Sequence, residues 1–143
     1  MFLLDTNVVS ELRKVRLGKA APQVARWSDS VEAAALFISV VTILELEIGI
    51  LLMERKDPQQ GRPMRAWLDD SVRPTFQHRL LPVDETVALQ CARLHVPDPR
   101  PERDALIAAT ALVHGMIVVT RNIDDFADTG VTLLDPWDQR QTA

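Results

Sequence analysis

Five short apolar runs punctuate the chain: Phe2–Leu4, Leu36–Val41, Leu80–Val83, Ile117–Thr120 and Val131–Leu134. They are continuous rather than alternating. A strand with one wet face alternates polar and apolar residues, whereas a strand covered on both faces does not, so the runs predict a parallel sheet with helices on both sides. Between the runs, apolar residues recur at helical spacing. Helices are expected from Thr6 to about Lys14, with Thr6 or Asn7 as cap, and over Pro22–Ala33, Thr42–Arg55, Pro63–Phe76 and Glu85–Leu94. Two more are expected over Pro101–His114, with Gly115 as its stop, and from Asn122 to about Ala127. Alternating strands and helices indicate a doubly wound α/β domain with a sheet of about five strands. In 143 residues without a Gly/Ser-rich linker, one domain over 1–137 and a short tail over 138–143 are expected.

In such sheets ligands gather at the carboxyl ends of the strands. Asp5 directly follows the first run, and Glu45 lies one turn into the helix after the second. Asp124 and Asp125 follow the fourth run, and Asp104 opens the Ala-rich helix. Carboxylates converging in one cleft repel unless they are protonated or neutralised. An oxygen-only set without His or Cys selects Mg²⁺ or Mn²⁺. Such a cation acidifies a bound water and stabilises charge on a phosphodiester oxygen. Each acid also has a purely local reading. Asp5 could cap a helix, and Glu45 could be the N3 partner of a capping box begun by Thr42. Asp104, with Glu102, could complement a helix dipole, and Asp124 and Asp125 could sit in a capped helix start. Their joint placement at one sheet edge favours a site.

Composition excludes several other classes. The apolar fraction of 47% and charged fraction of 25% are those of a folded globular chain. The single cysteine, Cys91, cannot form an internal disulfide, and the N-terminus opens without a basic segment, so a reducing cytoplasm is the expected location. His78, His95 and His114 lie too far apart for a helical zinc pair, and one cysteine excludes finger and ribbon sites. The apolar stretch 36–53 carries Glu45 and Glu47, each costing about 2.5–3.5 kcal/mol at mid-bilayer, so it is not a membrane span. Tyrosine is absent, and three Trp and four Phe are too few for a base-stacking platform. The net charge of −4 at first argues against a nucleic-acid partner. It equals the charge of the four candidate ligands, however, so it partly records a metal site counted without its metal.

Four segments carry a family resemblance: Leu3-Leu4-Asp5-Thr6-Asn7-Val8-Val9-Ser10-Glu11-Leu12, Ser39-Val40-Val41-Thr42-Ile43-Leu44-Glu45-Leu46-Glu47-Ile48-Gly49, Asp104-Ala105-Leu106-Ile107-Ala108-Ala109-Thr110-Ala111 and Val119-Thr120-Arg121-Asn122-Ile123-Asp124-Asp125-Phe126. In order and spacing they resemble PIN-domain proteins, most of all toxins of the VapC/FitB type from bacterial type II toxin–antitoxin modules. The resemblance runs from Phe2 to about Trp137. It implies a Mg²⁺- or Mn²⁺-dependent ribonuclease on a parallel-sheet α/β fold. The family's acids map onto Asp5, Glu45, Asp104 and Asp125, the last preferred over Asp124 because it precedes the aromatic Phe126. Thr6, Asn7, Thr120 and Asn122 match polar positions that support the site, and Glu45 is a candidate base. The resemblance also implies two protein partners, a second copy of the chain and a small antitoxin.

The run Arg13-Lys14-Val15-Arg16-Leu17-Gly18-Lys19 has four bases and no acid, and is expected after the first helix near the cleft. Arg13, Lys14, Arg16 and Lys19 are candidate contacts to an RNA backbone. Leu51, Leu52, Met53, Met64 and Trp67 are candidates for a partner groove or for the chain's own core. Two other functions compete. A phosphatase or phosphoacceptor domain also places an Asp after its first strand, but it wants a second Asp where this chain has Asn7, and a late lysine, whereas only Lys14, Lys19 and Lys56 are present. A non-catalytic module could instead use the acidic cleft to hold a basic peptide.

Overall fold

The computed structural model describes residues 1–138. The expected tail therefore lies, beyond Asp138, outside the described residues. Five strands form one sheet: β1 (Phe2–Leu4), β2 (Leu36–Ser39), β3 (Leu80–Leu81), β4 (Ile117–Val119) and β5 (Leu133–Leu134). Their spatial order is β3-β2-β1-β4-β5, and every pairing is parallel. The chain thus winds outward from β1 in one direction, then returns to its other side. The switch point between β1 and β4 opens a crevice at the carboxyl ends of those strands.

The short strands are apolar because both faces are covered. Leu4, Ile38 and Val119 enter one core with Val8, Trp27, Leu46, Ile50 and Leu68. Leu3 and Val118 enter the opposite core with Ile107, Ala108, Ala111 and Phe126. The first core is covered by α1 (Thr6–Arg16), α2 (Pro22–Ser30), α3 (Val40–Lys56) and α4 (Pro58–Trp67). A π-helical turn at Leu68–Val72 and a single turn, α5 (Arg73–Thr75), complete that layer. The second core is covered by α7 (Glu102–His114), on whose outer side α6 (Glu85–Leu94) packs through Val87 and Cys91 against Ala105 and Ala109. Small residues on α7 let it lie close to the sheet. Gly115 ends α7 at φ 65°, the left-handed conformation that favours glycine. Among the described residues, no helix is long and apolar enough to cross a membrane.

Several element boundaries differ from the sequence expectation, each for a local reason. The cap of α1 is Asp5, not Thr6 or Asn7: its carboxylate accepts a hydrogen bond from the Thr6 backbone N–H. The second apolar run stops at Ser39, whose hydroxyl caps α3 by accepting from Val41 N, so β-branched Val40 and Val41 are helical. Thr42 therefore lies inside α3, and the capping-box role for Glu45 is ruled out. The second helix ends at Ser30, and a 3₁₀ turn occupies Ala33–Ala35. The helix expected from Pro63 begins at Pro58, where Asp57 caps it, and Pro63 lies inside it. Gly61 allows α3 and α4 to approach closely, since a Cβ at that position would lie 2.9 Å from the Glu54 Cα.

Candidate active site

The site begins with register. Leu4 pairs with Val119, so β1 and β4 end together. The Asp5 N–H then donates to the Val119 carbonyl at 2.9 Å, placing Asp5 beside Thr120. Asp5 is only 5% exposed. Its Oδ1 accepts from Thr6 N at 2.8 Å, and its Oδ2 accepts from Thr120 Oγ1 at 2.7 Å and Asn7 Nδ2 at 3.2 Å. Thr120 Oγ1 in turn accepts from Asn122 N at 3.0 Å and Asn7 Nδ2 at 3.3 Å. One donor and two acceptor positions exhaust that hydroxyl, so its orientation is fixed. Both lone pairs of Asp5 Oδ2 are likewise engaged, leaving Oδ1 with one acceptor position beyond its bond from Thr6 N.

The other acids arrive from separate elements. Glu45, in the second turn of α3, accepts from Thr6 Oγ1 at 2.8 Å, with Thr42 Oγ1 3.2 Å from the same hydroxyl. Asp104 lies in the first turn of α7. Asp125 lies in a 3₁₀ turn at Ile123–Phe126 that is anchored by Phe126, buried in the second core. Electrostatics show which acids face one another. Burial raises the Asp5 carboxyl above its ordinary range against its hydrogen bonds, with Glu45 and Asp125 adding to the rise. Burial, then Asp5, Asp125 and Glu45, push Asp104 up to about 6. Of the adjacent pair, Asp125 is the one whose charge acts on both Asp5 and Asp104, while both line one recess.

The four carboxylates share one cleft without closing into a cage, since no three bring oxygens within 4.8 Å of one another. An all-oxygen donor set with excess negative charge fits a hard divalent cation that keeps part of its water shell. Arg103 reaches the cluster only through Glu45 Oε2, at 3.8 Å. The charges that act on Asp5 are carboxylates, and no lysine is among them, unlike the arrangement a phosphoacceptor aspartate needs. Elsewhere, Cys91, His95 and Glu102 come within ligand spacing among the described residues. There, His95 Nδ1 accepts from Arg100 N at 3.1 Å, which in a neutral ring puts the proton on Nε2, facing Cys91 Sγ at 3.7 Å. That nitrogen is a donor, not a ligand.

The basic run is not a loop at the cleft edge. Arg13, Lys14 and Arg16 occupy the last turns of α1, where positive charge complements the helix dipole. Arg13 lies over the Trp67 ring at 5.6 Å, Lys14 pairs with Glu11 at 3.2 Å, and Arg16 donates to Ser71 at 3.3 Å. Lys19 is exposed beyond the helix. Arg13 and Lys14 do line a groove of about 300 Å³ that has Thr6 and Glu45 in its wall and Leu46, Ile50, Met64 and Trp67 among its apolar lining. Met64 and Trp67 pack on the chain's own core, whereas Leu44, Leu51 and Leu52 are exposed along α3. Sequence reading missed Arg121, whose backbone N donates to Asn7 Oδ1 at 3.2 Å and whose guanidinium lies over the Trp137 ring at 5.1 Å. Arg121 adjoins Thr120 in the chain, and that adjacency was the available signal.

A parallel sheet with acids converging on its switch point defines an α/β domain of the carboxylate-site class. The chain belongs to the PIN-domain family, which matches residues 2–131. It is 33% identical to VapC ribonuclease Y4jK of Sinorhizobium fredii, over 96% of this chain and 99% of that protein. It is 32% identical to toxin FitB of Neisseria gonorrhoeae over the same shares. The crystal structure of FitAcB from Neisseria gonorrhoeae superposes with a TM-score of 0.85 at 32% identity, covering 96% of this chain and 99% of that one.

Proposed function

We propose that this protein is a divalent-cation-dependent endoribonuclease, the toxin of a bacterial toxin–antitoxin pair, acting in the cytoplasm. The observation that carries this reading is the convergence of Asp5, Glu45, Asp104 and Asp125, each from a different element, at the switch point. Near-full-length similarity to a VapC ribonuclease and to toxin FitB supports it.

The four acids would hold Mg²⁺ or Mn²⁺, which when bound acidifies a water and offsets charge on a phosphodiester. The rest follows from the chain's own groups. Thr120 and Asn7 hold Asp5 through Oδ2, leaving Oδ1 an acceptor position for the cation. Thr6 holds Glu45 toward the same point. Asp104, whose carboxyl is pushed up to about 6 by burial and the neighbouring acids, would give up that proton on binding the cation, so cation binding should strengthen as pH rises through that value. The groove beyond Glu45, with Arg13 and Lys14, extends the surface along which RNA would lie. The exposed leucines of α3 offer an apolar face for a second copy of the chain. Residues 1–137 would act as one nuclease domain.

Purified protein should cleave RNA with Mg²⁺ or Mn²⁺ and lose that activity in EDTA. The Asp5→Asn variant should be inactive. Sequencing of RNA 5′ ends after induced expression, with that variant as control, would locate the cleavage sites. Cleavage that persists both in EDTA and in the variant would refute the proposal.

A further inference from the structure

We infer that Arg121, set over the Trp137 ring, is an RNA-binding residue that holds a backbone phosphate flanking the scissile one. The inference rests on the ribonuclease reading of the adjacent site.

Arg121 is tied to the carboxylate centre through one side chain. Its backbone N donates to Asn7 Oδ1, while Asn7 Nδ2 donates to Asp5 Oδ2. Its position is therefore set by the same network that orients Asp5. It lines an open recess of about 380 Å³ together with Asn122, Ile123, Asp124, Asp125 and Asp135. Arg121 is the one cation in that lining, and Asp125 is the acid in it that couples to the cleft.

The guanidinium is held without being consumed. It lies over the Trp137 ring, 5.1 Å from the centroid. A cation–π contact takes no hydrogen-bond acceptor, so the guanidinium N–H donors stay available for a bidentate contact to phosphate. Among the described residues, no carboxylate lies within ion-pair distance of Arg121. Its charge does reach Glu11, but Glu11 already accepts from Lys14 Nζ and from Ala21 N. Of the other cations near the cleft, Arg103 and Lys14 have carboxylate partners, whereas Arg13, over Trp67, lines the separate groove that holds Glu45. Trp137 itself packs against the first core, so one face meets protein and the other meets Arg121. The ring is thus a support for the cation rather than a free platform for a base.

The test is binding of a short, mixed-sequence single-stranded RNA across a salt series, in an Asp104→Asn background so that no cleavage intervenes. KM for cleavage is measured separately in the otherwise wild-type protein. R121Q keeps the backbone bond to Asn7 and removes the charge. It should weaken binding about tenfold, raise KM similarly, and flatten the slope of log K against log salt by about 0.7, the value of one single-strand phosphate contact. R121K should keep the slope but recover only part of the affinity, because an ammonium neither forks nor stacks as a guanidinium does. W137L should also keep the slope while weakening binding. An unchanged slope in R121Q overturns the inference even if the wild type cleaves RNA, and so does an R121K slope as flat as that of R121Q. If the wild type cleaves nothing but R121Q still lowers affinity and slope, the nuclease reading fails, and the placement of this phosphate beside a scissile one falls with it although Arg121 contacts RNA. If the protein does not bind RNA at all, both fall.

Discussion

Glu45 and Glu47 stand two residues apart on α3, and their surroundings are opposite. Two helical steps turn a side chain through about 200°, so the pair project from opposite faces. Glu45 joins Asp5, Asp104 and Asp125 in a cleft whose charges repel. Glu47 joins Glu54 and Asp69 around Arg65, which donates to Glu47 at 2.5 Å and to Glu54 at 2.9 Å. There the guanidinium holds Glu54 below the ordinary carboxylate range. Both clusters gather acids, but Arg65 sits 2.5 and 2.9 Å from two of its acids, whereas in the cleft Arg103 reaches Glu45 alone, at 3.8 Å. The closely paired cluster is a structural clasp between α3 and α4. The other is the cluster proposed to take a cation.

The sharpest way to break this contrast is to make the same change at both positions. Glu45→Gln should cut cleavage at least about 100-fold with the fold intact, as loss of a charge that acts on the reacting centre does. Thr120→Val should come next. It removes the hydroxyl that fixes Asp5 and leaves buried polar groups unpaired, lowering metal affinity or rate about 10–100-fold and stability by about 1–3 kcal/mol. Titration with Mn²⁺ and a thermal melt would read the two effects separately. On the clasp side, Gly61→Ala would press a Cβ onto the Glu54 backbone, and should cost about 1–3 kcal/mol in a melt without altering cleavage per folded molecule.

The fourth prediction concerns pH. Asp104 binds its proton more tightly in the fold, near 6, than at its unperturbed value of 3.8. The folded state therefore holds the extra proton between those values, and metal-free stability falls as pH rises through that window. In EDTA, Asp104→Asn should remove that dependence and stabilise the protein at pH 7 by about 1 kcal/mol, after allowing for solvent screening. The clasp has the opposite sign, because Glu54 is depressed and its contribution is lost only as pH falls below its unperturbed 4.5. Melts at pH 5 and pH 7 would separate the two clusters, and a wild type no more stable at pH 5 in EDTA would contradict the cleft's repulsion. The smallest effect belongs to Glu47→Gln, which should leave cleavage within about twofold and move Tm by no more than about 2 °C.

Much of this was legible in the residues. The five apolar runs mark all five strands, and Asp5 at the end of the first is where β1 delivers it. What misled was local chemistry with two readings. Val40 and Val41 have strand propensity, yet Ser39 caps the helix before them, so tertiary packing overrides propensity. Thr42 and Glu45 have the spacing of a capping box, but both side chains turn to Thr6 across the cleft. Pro63 looks like a helix start, whereas Asp57 and Pro58 supply the cap and first turn. The basic run reads as a loop because it lacks helical hydrophobic periodicity, although its charges are those a helix C-terminus favours. The preference for Asp125 over Asp124 rests on its place before Phe126, and the burial of Phe126 in the second core is what anchors that turn.

Asp5 serves α1 as its cap and the cleft as its central acid, and the two duties have different chemical requirements. A cap needs an oxygen, and Asn supplies one as well as Asp does. The site needs a negative charge. With Asn in place, its side-chain oxygen can still accept from Thr6 N and keep the helix start capped, while its amide nitrogen cannot take the hydrogen bonds that Thr120 and Asn7 now donate. Asp and Asn codons differ by one base. A lineage can therefore lose this chemistry in a single mutational step and still inherit a protein that folds and presents the same outer surfaces. Intact folds of this kind can outlast their activity, and a copy carrying Asn at this position would still compete for the partners of an active one.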